Sequence, residues 1–248
     1  MLFRLSGNVS LYGNAGRGFE TPTFAELAHQ NAGSGLNFAL EPAESRHAEL
    51  GAKAVFPRRA RVNAALFDIE VEDEIVVDVS AGGRTTFKNA GRTERRGIEL
   101  AAETLLPGPW GAQLAYTRLD AAFKESFTSG AGTIPAGNLI PGVPRSQLHA
   151  SLRYRQASHY VQLEATRRSR VAVTDANDEF AGAYTVTSLA AGLVQQGGRW
   201  QLTEFVRIDN LADKGYAGSV IVNEGNRRFY EPAPGRNYLL GVQASLQF

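Results

Sequence analysis

Residues 237–248 constrain the fold most, because they alternate with almost no error. Tyr238, Leu240, Val242, Ala244, Leu246 and Phe248 fall on one face; Asn237, Gly241, Gln243, Ser245 and Gln247 fall on the other, with Leu239 the only apolar intruder. A period of two belongs to a strand. The apolar row has an aromatic ring at each end, the layout of a transmembrane β-strand in which lipid-facing and lumen-facing side chains alternate between two aromatic girdles. An edge strand of a soluble sandwich also alternates, so this segment alone leaves two architectures open.

Similar alternation recurs upstream. It predicts strands over residues 8–15, 44–56, 61–71, 86–105, 110–119, 147–154, 160–168, 184–194 and 200–211, about ten with the last one. Residues 16–42 lose the pattern in Gly, Asn, Pro and Ser and are predicted as a long loop. Within it residues 22–29 form a short helix-like piece, with Pro22 able to occupy its first turn. Residues 71–85 read as a hairpin extension and loop; 122–145, 171–182 and 212–235 read as further loops. In the strand from Trp200, Glu204 and Arg207 have opposite parity, so one of them must interrupt the outward face.

The connections carry more information than any strand. Turns of a few residues near Pro57, Pro107, Gln156 and Gly197 alternate with long loops. An up-and-down barrel in an outer membrane has this asymmetry, with short periplasmic turns and longer extracellular loops. The expected fold is therefore all-β: an antiparallel up-and-down transmembrane β-barrel segment.

Composition agrees with that reading. Hydrophobic residues make up 43% of the 248 residues, and no apolar run approaches the roughly 20 that a membrane helix needs. Barrel strands bury only every second side chain in lipid, so a mean hydropathy of −0.23 is compatible with them. A net charge of +1 gives no electrostatic footprint for nucleic acid. The chain lacks cysteine, and His29, His47, His149 and His159 have no metal-ligand spacing; no GxSxG or HExxH motif is present. No enzyme, metal site or cofactor is expected. Residues 1–5 lead directly into a strand-like pattern without a leader, which fits either a cytosolic protein or the downstream part of a longer chain.

Five stretches resemble the C-terminal half of the TonB-dependent outer-membrane receptors, active transporters of ferric siderophores and similar scarce ligands. They are GRGFETPTFAEL at 16–27, EPAESRHAELG at 41–51, NAGRTERRGIEL at 89–100, NLADKGY at 210–216 and PGRN at 234–237, in family order. The resemblance implies a bacterial outer-membrane location and uptake of a ferric siderophore or ferric dicitrate, energised by the TonB complex through a missing N-terminal region. Residues 1–248 then correspond to the last part of a barrel of about 22 strands around a plug. No residues here match the family's signal peptide, TonB-contacting segment or plug. The resemblance also gives the final strand, with Tyr238, Leu240 and Phe248, the signal read by the barrel-assembly machinery.

Planar guanidinium groups recognise oxygen-rich anionic chelates well. Arg17, Arg84, Lys88 and Arg92, with Tyr12 and Phe19 as stacking groups, are the candidate ligand contacts because they lie in or beside the predicted outer loops. The same residues also fit ordinary solvated loop positions. The motif residues Asn210, Asp213, Gly215, Gly235 and Arg236 are expected to be structural. A passive porin-like channel and a soluble β-rich binding protein are the alternative functions.

Overall fold

The computed structural model describes residues 1–30, 35–57, 59–129 and 132–246. Eleven strands form one antiparallel sheet: β1 (Leu2–Arg4), β2 (Val9–Glu20), β3 (Ala43–Phe56), β4 (Ala60–Glu72), β7 (Thr93–Leu105), β8 (Trp110–Phe123), β11 (Ser146–Arg155), β12 (His159–Arg168), β15 (Tyr184–Gly197), β16 (Trp200–Asp209) and β19 (Asn237–Leu246). Each wall strand pairs with the next wall strand along the chain. Four two-stranded hairpins occupy the long connections: β5 (Ile75–Ala81) with β6 (Arg84–Asn89), β9 (Phe127–Ser129) with β10 (Gly132–Ile134), β13 (Val171–Ala172) with β14 (Phe180–Ala181), and β17 (Ala217–Val220) with β18 (Tyr230–Pro232).

The alternation of connections is present in full. The connections between wall strands are short at one end of the sheet, spanning 5–8, 57–59, 106–109, 156–158 and 198–199 in sequence, and long at the other, spanning 21–42, 73–92, 124–145, 169–183 and 210–236.

Several boundaries differ from the sequence expectation. Strand β2 continues to Glu20, so the GRGF stretch is strand and not loop. Its period is kept by size instead of hydropathy. Gly16 lies beneath the His47 ring and Gly18 beside Ser45 Oγ, while Arg17 and Phe19 take the opposite face. The helix is one turn, α1 (Phe24–Leu27), started by a capping box in which Thr23 and Glu26 satisfy each other's backbone N–H. Thr23 is its cap, so Pro22 precedes the helix and does not sit in its first turn. The strand expected over 86–105 is two elements, β6 and β7, separated at Gly91, whose φ of 66° is readily adopted only without a Cβ. Phe248 lies outside the described residues.

Register assigns the faces. Val161, Ala191, Val206 and Leu240 form one cross-strand row, and Leu163, Leu189, Ile208 and Tyr238 the next. This face continues through Leu50, Leu66, Ile98 and Leu114, and it stays uncovered: Leu240 is 77% and Leu50 68% exposed. At its short-turn border the Tyr154 ring packs edge-on against Trp110 and stacks on His159. At its long-loop border the residues become charged, with Arg46 near Glu72, Arg96 on Asp68 at 2.6 Å and Arg145 on Asp120 at 2.8 Å. Glu204 is the member of the Glu204/Arg207 pair that stands on the apolar face.

The opposite face is polar. Four of its rings lie across glycines of neighbouring strands: Tyr12 on Gly51, Phe67 on Gly97, Tyr160 on Gly192 and Phe205 on Gly241. A missing Cβ lets each ring cover the adjacent backbone, which holds the register of paired strands.

The buried core lies in the loop layer. Ala121 and Phe123, on the polar face of β8, pack with Ala90, Ile134 and Ile140; Val173, Ala181 and Phe229 form a second cluster. The long loops therefore fold over the polar face.

Candidate functional site

The site is the loop layer and the polar wall beneath it. The β5–β6 hairpin is anchored to the wall by Glu74, which accepts hydrogen bonds from the Arg95 fork, one of 2.8 Å, and from the fully buried Thr93. Arg95 is fixed on the polar face by the β4–β7 register, where it opposes Ile69. A bidentate pair of this kind fixes direction as well as distance.

Asparagines join the loops to each other. Asn223 adopts a φ of 52°, a conformation that Asn tolerates better than most residues. Its Nδ2 donates to the Val77 carbonyl at 2.7 Å, and its Oδ1 accepts from the Asp175 N–H at 3.0 Å. Its own N–H donates to the Val173 carbonyl at 3.0 Å. One side chain thus connects loops 73–92, 169–183 and 210–236. Asn177, at φ 56°, receives the Leu139 N–H at 2.7 Å and donates to the Leu139 carbonyl at 2.9 Å, adding loop 124–145. Asn89 exchanges two 2.9 Å bonds with the Glu41 backbone, adding loop 21–42.

Lys88 occupies the centre of this layer. Its ammonium donates to Asp78 at 2.9 Å, lies 3.7 Å from Asp175, and sits 4.7 Å from the Phe127 ring centroid. The Asp175 side chain is 3% exposed, and neither of its carboxylate oxygens has a hydrogen-bond partner among the described residues. Burial raises its pKa above the ordinary carboxylate value, with Lys88 opposing the shift. At the edge of the layer, burial and the Glu179 carboxylate push the Tyr230 phenol up to about 12. Backbone donation from Arg228 and the Asn226 side chain hold Glu224 below its usual range.

Beneath loop 210–236 the wall carries a cavity of about 360 Å³, lined in part by Tyr184, Tyr216, Ser188 and Thr166. Arg207 reaches across β15 to Glu164 at 2.8 Å and also donates to Asp209 at 2.9 Å. Small residues on β15, Ala190 and Ser188, leave room for that reach.

The NLADKGY and PGRN stretches meet above this cavity. Asn210 is 2% exposed with φ 53°; its Nδ2 donates to the Lys214 carbonyl at 2.9 Å, and its Oδ1 accepts the Lys214 N–H at 2.8 Å. Asp213 accepts the Arg236 N–H at 2.8 Å, and Arg236 Nε donates to the Leu211 carbonyl at 3.1 Å. These are structural roles, as expected from the residue types. Asn210→Ala removes these two bonds together with a longer one from Nδ2 to the Pro234 carbonyl at 3.4 Å, and puts a Cβ-only residue in the left-handed region. It is expected to cost about 2 kcal/mol and to accelerate proteolytic nicking within 210–236, scored against the unmodified protein.

The candidate ligand contacts separate. Arg17 and Phe19 lie in β2 on the face shared with Val9 and Leu11, opposite Arg46 and Glu44, so they point away from the polar wall. Tyr12 lies on the polar wall, with Lys53 Nζ 5.0 Å from its ring centroid. Lys88 is committed to the ion cluster. Arg92, 45% exposed, stands 3.7 Å from Glu125. Arg84 is exposed at the tip of the β5–β6 hairpin. Sequence reasoning missed Asp78, Asp175, Asn177 and Asn223; the abundance of Asn and Asp in those loops marks left-handed turns, but not which loops they join. Among the described residues no cluster of His, Asp or Glu has the makings of a metal site.

The fold has solved relatives. The chain is similar to Fiu, a ferric-catecholate import receptor of E. coli K12, at 22% identity and TM-score 0.73, covering 100% of this chain and 34% of that one. It is similar to the siderophore receptor PiuA of Acinetobacter baumannii at 22% identity and TM-score 0.73, covering 98% and 34%. The unliganded ferric citrate transporter FecA gives 18% identity and TM-score 0.77, covering 98% and 37%. At these identities the likeness concerns the fold, and the chain spans about a third of the length of these receptors. A family model described as the TonB dependent receptor-like β-barrel matches residues 1–211, and the chain belongs to that family.

Proposed function

We propose that this chain forms the C-terminal portion of an outer-membrane receptor barrel that takes up a ferric siderophore or a related iron chelate, with TonB coupling supplied by other parts of the receptor. The supporting observation is the division of labour across one sheet: an uncovered apolar face suited to lipid, and a polar face roofed by interlocked loops. Water is absent from the acyl region, so side chains on the uncovered face must be apolar, whereas a lumen wall is free to be polar. A passive channel would leave its lumen open; here the loop layer folds over the wall, which favours a gated receptor. The bacterial outer membrane is the corresponding location. Tyr238 and Leu240, both exposed on the apolar face of β19, with Phe248, form the proposed contact for the barrel-assembly machinery.

Within the loop layer, Arg84 and Arg92 are the cations proposed to meet an anionic chelate first, and Tyr12 on the polar wall is the proposed deeper stacking group. Arg17 and Phe19 are left out by their facing, and Lys88 by its two carboxylates. Radiolabelled ferric dicitrate and a ferric catecholate serve as probes in iron-starved cells carrying the whole receptor. Replacing Arg84 and Arg92 together by Glu is expected to raise the half-saturating concentration of the transported chelate about tenfold, or about 1.4 kcal/mol, at unchanged receptor abundance. Uptake of neither probe by the unmodified receptor would remove the iron-chelate reading.

A further inference from the structure

One acidic side chain stands within the apolar face. The outward row of β16 reads Trp200, Leu202, Glu204, Val206, Ile208. Strand pairing carries the Glu204 position across four strands, from His159 on β12 through Leu193 on β15 and Glu204 itself to Val242 on β19. His159 stands at the short-turn border, stacked on Tyr154. Two strand spacings, about 10 Å, separate it from Glu204, and a strand tilt of about 40° converts them into about 6 Å of depth. Trp200 lies between Glu204 and the turn, so Glu204 is the deeper of the two. Its carboxyl group therefore sits just inside the border, within reach of a lipid headgroup.

Glu204 and His159 both border a groove of about 720 Å³ whose lining includes Val161, Ala191, Val206 and Leu240. Ala191 makes the depression, because it is flanked across the sheet by the larger Val161 and Val206. Gln195 Nε2 donates to Glu204 Oε2 at 3.4 Å, the only hydrogen bond that the described residues give this carboxyl group, so Oε1 has capacity to accept. The Ser158 hydroxyl lies 3.1 Å from His159 Nδ1; when it donates there, Nε2 carries the ring proton. An acceptor and a donor thus stand on one cross-strand row at the mouth of an apolar groove. A carboxylate at this depth is stabilised by a charged N–H donor, and a phosphate by a donor of its own. We propose that the groove holds one phospholipid whose headgroup carries a primary ammonium. The ammonium donates to Glu204, the phosphate accepts from His159 Nε2, and an acyl chain lies along the groove over Ala191. A trimethylated headgroup offers Glu204 no N–H, and an anionic one offers it no cation. The inference rests on the membrane reading given above.

The whole receptor, extracted from outer membranes in a mild detergent, is offered phosphatidylethanolamine, phosphatidylcholine and phosphatidylglycerol with identical acyl chains, and retained lipid is counted by native mass spectrometry. Phosphatidylethanolamine is expected to be retained about fivefold more than either of the others. Glu204→Gln, which keeps the size of the side chain and removes its charge, is expected to abolish that preference. Ala191→Leu, which fills the groove and leaves Glu204 in place, is expected to lower phosphatidylethanolamine retention by a similar factor. Leu50→Ala, on the same face of β3 but remote from the groove, is expected to change nothing. The lipid comparison on the unmodified receptor and the Ala191→Leu variant stand even if Glu204→Gln fails to assemble. Equal retention of the three lipids, or a preference that survives either groove variant, overturns the proposal. A receptor missing from the outer-membrane fraction overturns the membrane reading itself.

Discussion

Gly97→Ala is expected to prevent assembly of the sheet at β7, with a cost of about 3 kcal/mol, the upper end for an overpacked site. A Cβ built on Gly97 falls 2.6 Å from the Arg118 carbonyl oxygen and also inside the Phe67 ring. The ring could swing aside. The carbonyl cannot, because Arg118 is held in the β7–β8 ladder opposite Ile98 and in the β8–β11 ladder opposite Ser146. The contrast is Gly111→Ala, whose Cβ meets nothing nearer than the Thr104 carbonyl oxygen at 3.8 Å and is expected to be tolerated. Heat-modifiable migration in electrophoresis distinguishes folded from unfolded barrel. The expected pattern is loss of the folded band for Gly97→Ala, its retention for Gly111→Ala, and only partial recovery for Gly97→Ala with Phe67→Leu. Full recovery in the double variant would mean that the ring alone, not the backbone, sets the limit.

The wall was legible because its chemistry repeats. Between the aromatic borders every second residue belongs to the uncovered apolar face, so 237–246 and 147–154 announce themselves as strands. Above that band both faces meet water or loops, and the hydropathy alternation fades although the backbone continues; this is why β2 was expected to end at residue 15 and β8 at 119. Parity nevertheless carries information through the fade. Counting on by twos from Val9 and Leu11 reaches Arg17 and Phe19, which puts them on the outward face, where the register has them. Loop candidates chosen only by charge type lack that discipline.

The loop layer was illegible for a different reason. Among the described residues, five of the six non-glycine positions with positive φ are Asn or Asp, namely Asp73, Asn177, Asn210, Asp213 and Asn223, so local composition does mark where the chain turns. It does not mark partners. Lys88 meets Asp78 across its own hairpin, but it meets Asp175 only because loops 73–92, 169–183 and 210–236 converge on Asn223. A guanidinium or ammonium group on a loop looks the same in sequence whether it waits for a ligand or closes a buried cluster. Exposure separates the two cases, with the Lys88 side chain 16% exposed and the Arg92 side chain 45%.

Lys88→Met should therefore open the loop layer while leaving the wall intact. The substitution strands two buried carboxylates, Asp78 and Asp175, without their common cation, and breaking such a pair costs about 3 kcal/mol. The amides of Asn223, Gly225 and Gly142 bond between loops, to the carbonyls of Val173, Ser80 and Ala172 respectively, and report that opening directly. Their hydrogen exchange is expected to quicken about a hundredfold, with exchange in the β3–β4 ladder unchanged. Asp175→Asn should reverse part of the effect, because it removes the carboxylate left without compensation. The pH dependence has a definite sign. The folded layer holds the Asp175 proton more tightly than the unfolded chain does, so its pKa lies above the ordinary 3.8. Its contribution favours the closed layer at or below 3.8 and is lost as pH rises from there through the raised value. In Lys88→Met that window extends further upward, since the cation that opposed the shift is gone. Loop exchange that is the same in both proteins at neutral pH would show that Lys88 does not hold the layer together.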